Sequence, residues 1–147
     1  MSLKDKKVLL VDDDPDFRMI ARHILEGAGL SVDEAESVDE GLEKIQSSPP
    51  HVLLTDLHMP EKTGFDLIEE LRERDYLKSL PVIVLSSLSD VPSVRKAIAL
   101  GVTDYVVKPI KAPILLRKLR KIFLSSEFIK IDLPLPLSAE IIIESQI

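Results

Sequence analysis

Three consecutive aspartates, Asp12, Asp13 and Asp14, follow the apolar run at 8–11, and Asp56, Ser86 and Lys108 each stand directly after a later apolar run. Like charges packed so closely are costly: two carboxylates about 4 Å apart repel by about 4 kcal/mol at an effective dielectric of 20. A hard divalent cation removes that cost, and Mg²⁺ is commonly held by one or two carboxylates, several waters and a phosphate oxygen. A carboxylate beside such a cation can also attack phosphorus and become an aspartyl phosphate. Phosphoryl transfer asks a protein mainly for positioning and for charge stabilisation on three equatorial oxygens. The metal would take one oxygen, the Lys108 ammonium a second and the Ser86 hydroxyl a third. Asp56 then falls to the acceptor role and Asp12 and Asp13 to the metal. Asp14, followed by Pro15, is explained as a helix N-cap. Taken singly, Asp12 and Asp13 would be better explained as solvated loop residues; their occurrence together with Asp56, Ser86 and Lys108 is what makes a chemistry.

These residues can cooperate only if a fold brings them to one place. Apolar segments that read as buried parallel strands recur at 7–11, 30–34, 52–56, 82–86 and 104–107, each followed by a helical pattern. In the first helix Phe17, Ile20, Ala21, Ile24, Leu25 and Ala28 lie on one stripe, and Gly29 supplies the stop. Ser37 opens the second helix with a capping-box pattern that ends on Glu40. Thr63 can cap the third, which turns Phe65, Ile68 and Leu71 inward. The fourth is expected from Ser89 or Asp90 to Gly101, and the fifth from about Pro113, burying Leu115 or Leu116 together with Leu119, Ile122 and Phe123. Five alternating strand–helix units imply a doubly wound α/β sandwich, because right-handed crossovers place helices on both faces of a parallel sheet. Ligands on such sheets sit at the carboxyl ends of the strands, which is where Asp12, Asp13, Asp56, Ser86 and Lys108 stand.

The chain has 147 residues, 45% of them hydrophobic and 30% charged, which suits one globular domain with a sizeable core. Its net charge of -6 argues against direct nucleic-acid binding, which calls for a basic excess. With no cysteine, a thiolate metal site, a thiol nucleophile and a disulfide framework are excluded. No apolar run approaches the ~18 residues of a membrane span and no signal-peptide core is evident, so a cytoplasmic protein is expected.

The segments LLVDDD, LLTDLHMPEKTGFDLI, LPVIVLSS and GVTDYVVKPI strongly resemble the receiver domain of two-component response regulators, of the chemotaxis-receiver kind, over about residues 6–124. The resemblance implies a flavodoxin-like (βα)5 fold with strand order 2-1-3-4-5. It implies that Asp56 accepts a phosphoryl group from a phosphohistidine on a sensor histidine kinase or phosphotransfer protein, with Mg²⁺ held by Asp12, Asp13, Asp56 and the backbone carbonyl of His58. Ser86 and Tyr105 match the family's switch pair, and the Lys108–Pro109 bond is expected to be cis, aiming the ammonium into the cleft. The output surface would be formed by the fourth helix, fifth strand and fifth helix, with a homodimer or a downstream effector as partner. Such a domain assists its own phosphotransfer and dephosphorylation and is not an enzyme in the ordinary sense. Ser87 and Ile110 depart from the commonest pattern, and the side chains of His58 and Leu88 are of the type that tunes phosphoryl lifetime.

Other readings fit less well. A phosphatase of the haloacid-dehalogenase type needs Asp-x-Asp-x-Thr or Val, whereas Asp12-x-Asp14-x-Asp16 ends on an acid, and no cap domain is evident. Neither a dinucleotide fingerprint nor a P-loop occurs. A binding module that is never phosphorylated would not need the complete acceptor set. His23, His51 and His58 lack metal-ligand spacing, and the basic run at 117–121 reads as a solvated helix face. Residues 125–147 form an extension outside the 1–124 receiver unit. Within it Ile129, Ile131, Leu133, Leu135 and Leu137 alternate with polar or proline residues, a strand-like pattern that Pro134 and Pro136 limit to an edge. It is expected to be an arm docking on the receiver or a second subunit, or the start of a downstream domain.

Overall fold

The apolar runs become a five-stranded, wholly parallel sheet in the order β2-β1-β3-β4-β5, as the resemblance implied. The computed structural model describes residues 3–127. Its elements are β1 (Lys7–Val11), α1 (Pro15–Gly27), β2 (Ser31–Ala35), α2 (Val38–Ser47), β3 (Val52–Thr55), α3 (Gly64–Glu73), a 3₁₀ turn (Asp75–Leu77), β4 (Val82–Ser86), α4 (Val91–Ala99), β5 (Asp104–Val107) and α5 (Ala112–Glu127). Alternation along each strand divides the core in two. Leu9, Val11, Leu53, Val82 and Val84 face α2, α3 and α4 through Leu42, Ile45, Leu67, Leu71 and Val94. Val8, Leu10, Val52, Leu54, Ile83 and Leu85 face α1 and α5 through Ala21, Leu25, Leu115 and Leu119. Each such side chain, fully buried, contributes roughly 1.5–3 kcal/mol. Together these two layers fix the sheet whose carboxyl edge carries the site.

The helices start where their caps direct. Asp14 accepts from the Asp16 N–H ahead of Pro15, and Asp90 accepts from the Ser93 N–H at the start of α4. Ser37 accepts from the Glu40 N–H, but the Glu40 carboxylate turns to the Glu36 N–H, so the expected reciprocal box at α2 is only half formed. The complete box is at α3, where Thr63 and Asp66 satisfy each other's backbone N–H groups. Gly29 and Gly101, with φ of 95° and 79°, close α1 and α4 in the left-handed region that favours glycine.

Several expectations are corrected. The second strand begins one residue later than expected, at Ser31, and the third ends at Thr55, leaving Asp56 in the loop. Ile20, at the margin of the α1 stripe, is 56% exposed beside the still more exposed Met19. Lys118 is buried within the basic run at 117–121, because its ammonium reaches both carboxylate oxygens of Asp104 at 2.9 Å. α5 runs to Glu127, and the strand-like pattern from 128 onward lies outside the described residues. Arg72 is an unforeseen brace: its guanidinium donates to the carbonyls of Leu77, Leu80, Leu100 and Gly101, tying α3 to the turns before β4 and β5. Among the described residues no helix is long and apolar enough to cross a membrane.

The loop from Asp56 to α3 depends on Gly64. A Cβ there would lie 2.0 Å from the Asp56 carbonyl oxygen, while the Gly64 N–H donates to the Leu57 carbonyl at 3.0 Å. Gly64→Ala must therefore push the backbone of Asp56 aside. Overpacking of this kind costs about 1–3 kcal/mol, so the urea midpoint of Gly64→Ala is expected to fall with an unchanged slope, and the amide resonances of Asp56 and Leu57 to shift.

Candidate functional site

Parallel pairing sets the site's geometry before any side chain is considered. Val11 pairs with Ala35 on one side and Thr55 on the other, so Asp12 and Asp56 are the first residues past adjacent strands. Their backbones extend the ladder: Asp12 N–H donates to the Ala35 carbonyl and Asp56 N–H to the Val11 carbonyl, both at 3.0 Å. Lys108 is anchored in the same way past β5, its N–H donating to the Ser86 carbonyl at 2.8 Å. The Lys108–Pro109 bond is cis, as expected.

These anchors bring four of the expected side chains together. The Lys108 ammonium donates to Asp12 Oδ2 at 2.8 Å and to Asp56 Oδ2 at 3.1 Å, bridging carboxylates just past the ends of two strands. Asp12 is 1% exposed, with Oδ1 accepting from the Asp14 N–H at 2.9 Å. Asp56 is 9% exposed, with Oδ1 accepting from the N–H groups of Leu57 at 2.6 Å and His58 at 3.4 Å. Carboxylate oxygens of Asp12, Asp13 and Asp56 lie within 4.8 Å of one another, with Asp13 on the solvent side. Burial pushes the Asp12 carboxyl above its ordinary range, although Lys108 and the Asp14 N–H pull the other way. Burial acts to lower the Lys108 ammonium, but its contacts with Asp12 and Asp56 together outweigh it and leave the group raised. The cluster thus offers only hard oxygen donors, on which nearby positive charge acts strongly. That donor set fits a hard divalent cation such as Mg²⁺ rather than a soft or nitrogen-seeking metal.

The other expected residues stand close by in different roles. His58 is exposed in the loop after Asp56. Ser86, fully buried at the end of β4, accepts the Leu88 N–H through Oγ at 3.1 Å. Tyr105 is 1% exposed within the core layer facing α4, and its hydroxyl donates to the Leu88 carbonyl at 2.6 Å. Both members of the expected switch pair therefore hold the same residue, Leu88. Burial pushes the Tyr105 phenol up to about 12, against the pull of the Ser86 hydroxyl.

Two residues at the site were not singled out from the sequence. The Phe17 ring lies under Lys108, with Nζ 3.8 Å from the ring centroid. Arg18 donates to the Asp12 carbonyl at 2.6 Å and to Glu34 at 3.0 Å, fixing the backbone from which Asp12 projects. In the sequence Phe17 is one position of an apolar stripe, and Arg18 gives no periodic signal. Only their adjacency to the Asp12–Asp14 run pointed to the site.

A family model described as the response regulator receiver domain matches residues 8–120. The chain is similar to the chemotaxis protein CheY of Pseudomonas aeruginosa, 36% identical over 118 residues, which are 80% of this chain and 95% of that one. It is also similar to the acid tolerance regulatory protein ActR of Rhizobium meliloti, 36% identical over 108 residues, spanning 74% of this chain and 55% of the longer relative. Among solved structures, the chemotaxis response regulator CheY4 of Vibrio cholerae superposes with a TM-score of 0.75 at 31% identity, covering 81% of this chain and 99% of that one. Sequence, strand order and the cleft at the carboxyl edge agree, and the chain therefore belongs to the family of response regulator receiver domains, the CheY-like modules of two-component signal transduction.

Proposed function

We propose that this receiver domain acts in the cytoplasm and is phosphorylated on Asp56 by the phosphohistidine of a sensor histidine kinase or phosphotransfer protein. The observation that carries the reading is the Lys108 ammonium held between Asp12 and Asp56, with Asp13 within reach of the same oxygens. Two main-chain N–H groups engage Oδ1 of Asp56, which leaves Oδ2, on the Lys108 side, as the nucleophile. Its attack forms the new P–O bond as the P–N bond of the donor imidazole breaks. Lys108 follows the charge from the carboxylates to a phosphoryl oxygen, and the Ser86 hydroxyl, which accepts from Leu88 and retains its own proton to donate, meets another. Asp12, Asp13, Asp56 and the His58 main-chain carbonyl would hold Mg²⁺, which when bound neutralises charge on the transferring group. Movement of Ser86 would release the grip it shares with Tyr105 on Leu88, carrying the signal toward the α4–β5–α5 face and a second copy or an effector.

Incubation with Mg²⁺ and a small acyl phosphate, followed by intact-protein mass measurement, tests the reading. One added phosphoryl group is expected, absent in Asp56→Asn and without Mg²⁺. Lys108→Ala should label about a hundredfold more slowly, the loss typical of removing one donor from a developing oxyanion. An adduct that persists in Asp56→Asn would overturn the assignment.

The raised Asp12 carboxyl has a consequence for stability. A group whose folded value lies above its unfolded one supports folding fully at low pH and loses that support as pH rises through the folded value. In metal-free protein, Asp12→Asn should therefore gain on the wild type as pH rises from the acid range toward neutrality. Added Mg²⁺ should stabilise the wild type and shrink or reverse the gap. Urea midpoints across pH, with and without Mg²⁺, read both effects.

A further inference from the structure

We propose that Phe17 is a positioning residue for Lys108, holding the ammonium over its ring face so that the cation stays aimed at Asp56 yet free to change partners. The inference rests on the phosphoacceptor reading above. Lysine carries a compact cation on a flexible four-carbon stem, and a chain of that kind needs walls to be precise. Here the walls are Asp12 on one strand end, Asp56 on the next, and the ring of Phe17 in the first turn of α1, its centroid 3.8 Å from Nζ.

The ring itself is placed by its neighbours. Asp14 caps the helix through the Asp16 N–H, Pro15 opens its first turn, and Arg18 ties the following residue to the Asp12 carbonyl and to Glu34. Phe17 is partly buried and packs on the core layer beneath α1 and α5, which seats the ring while the Lys108 ammonium lies over it. A ring face attracts a cation through its quadrupole, most strongly where water is excluded. It offers no atom that could outcompete an oxyanion. A carboxylate in this place would hold Lys108 back from an incoming phosphoryl oxygen, and a leucine would fill the space without attracting the charge.

The test combines a contact readout with a rate. In the wild type, the Lys108 ε-methylene protons should show an upfield ring-current shift by NMR, and Phe17→Leu should remove it. With Mg²⁺ and acyl phosphate, Phe17→Leu should label Asp56 about fivefold more slowly at saturating donor. The donor concentration at half-rate and the melting temperature should stay near the wild type, and Phe17→Tyr should restore the rate. In a Lys108→Ala background, Phe17→Leu should cost nothing further. An unshifted Lys108 methylene, a wild-type rate in Phe17→Leu, or the same loss with Lys108 absent would each overturn the proposal. Failure of the wild type to label at all would contradict the function proposed for Asp56, while the ring-current shift and its loss would still decide whether Phe17 holds Lys108.

Discussion

One lysine ammonium seated between two carboxylates is the interaction on which the site depends. Asp12 and Asp56 project from the ends of adjacent strands because β1 and β3 pair in register, and Asp13 adds a third negative charge at the rim. Nothing in the sheet itself relieves their repulsion. Lys108, reaching in from beyond β5, does so at 2.8 and 3.1 Å, and the raised Asp12 carboxyl shows that burial leaves a residual cost. A cleft that holds excess negative charge under partial compensation is ready to receive a divalent cation. Under the proposed function, it would also keep the lysine poised to follow the charge onto a phosphoryl group.

The rest of the architecture supports this arrangement. Two apolar layers fix the sheet, and the hydrogen-bond ladder continues one residue past the strands at Asp12, Asp56 and Lys108, so each side chain leaves a determined backbone. Gly64 lets α3 begin against the Asp56 carbonyl, and Arg18 pins the carbonyl of Asp12. On the far side of Ser86, Leu88 is held at its N–H by Ser86 and at its carbonyl by Tyr105. Under the proposed function, Leu88 would link the site to the face that reports on it.

Much of this was legible in the sequence because it rests on short-range pattern. The strands of a buried parallel sheet are continuous apolar runs, and the end of each run marks the edge where ligands collect, so the sequence alone places Asp12, Asp13, Asp56, Ser86 and Lys108 at that edge. What escaped were contacts between residues distant in the chain. The pairing of Lys118 with Asp104 buries a lysine that sits in a run reading as solvated surface. Arg72 finds two of its acceptors, the carbonyls of Leu100 and Gly101, 28 and 29 residues away, and no periodicity announces that. Ile20 shares the spacing of the α1 stripe yet is exposed, because a stripe has margins that spacing alone does not locate. Phe17 was assigned to the correct face of α1, yet its partner, Lys108, lies at the other end of the sheet's chain order. The strand order itself came from family resemblance, since alternation of strands and helices does not fix which strands are neighbours.

Calorimetric titration with Mg²⁺ of the wild type and of Lys108→Ala, in the absence of any phosphoryl donor, tests most directly whether Lys108 stands in for a cation in the metal-free cleft. If the ammonium neutralises charge that the metal would otherwise meet, its removal must tighten Mg²⁺ binding, and Asp12→Asn must weaken it in either background. Unchanged or weaker binding in Lys108→Ala would contradict the account, because the lysine would then be ordering the carboxylates for the metal instead of competing with it.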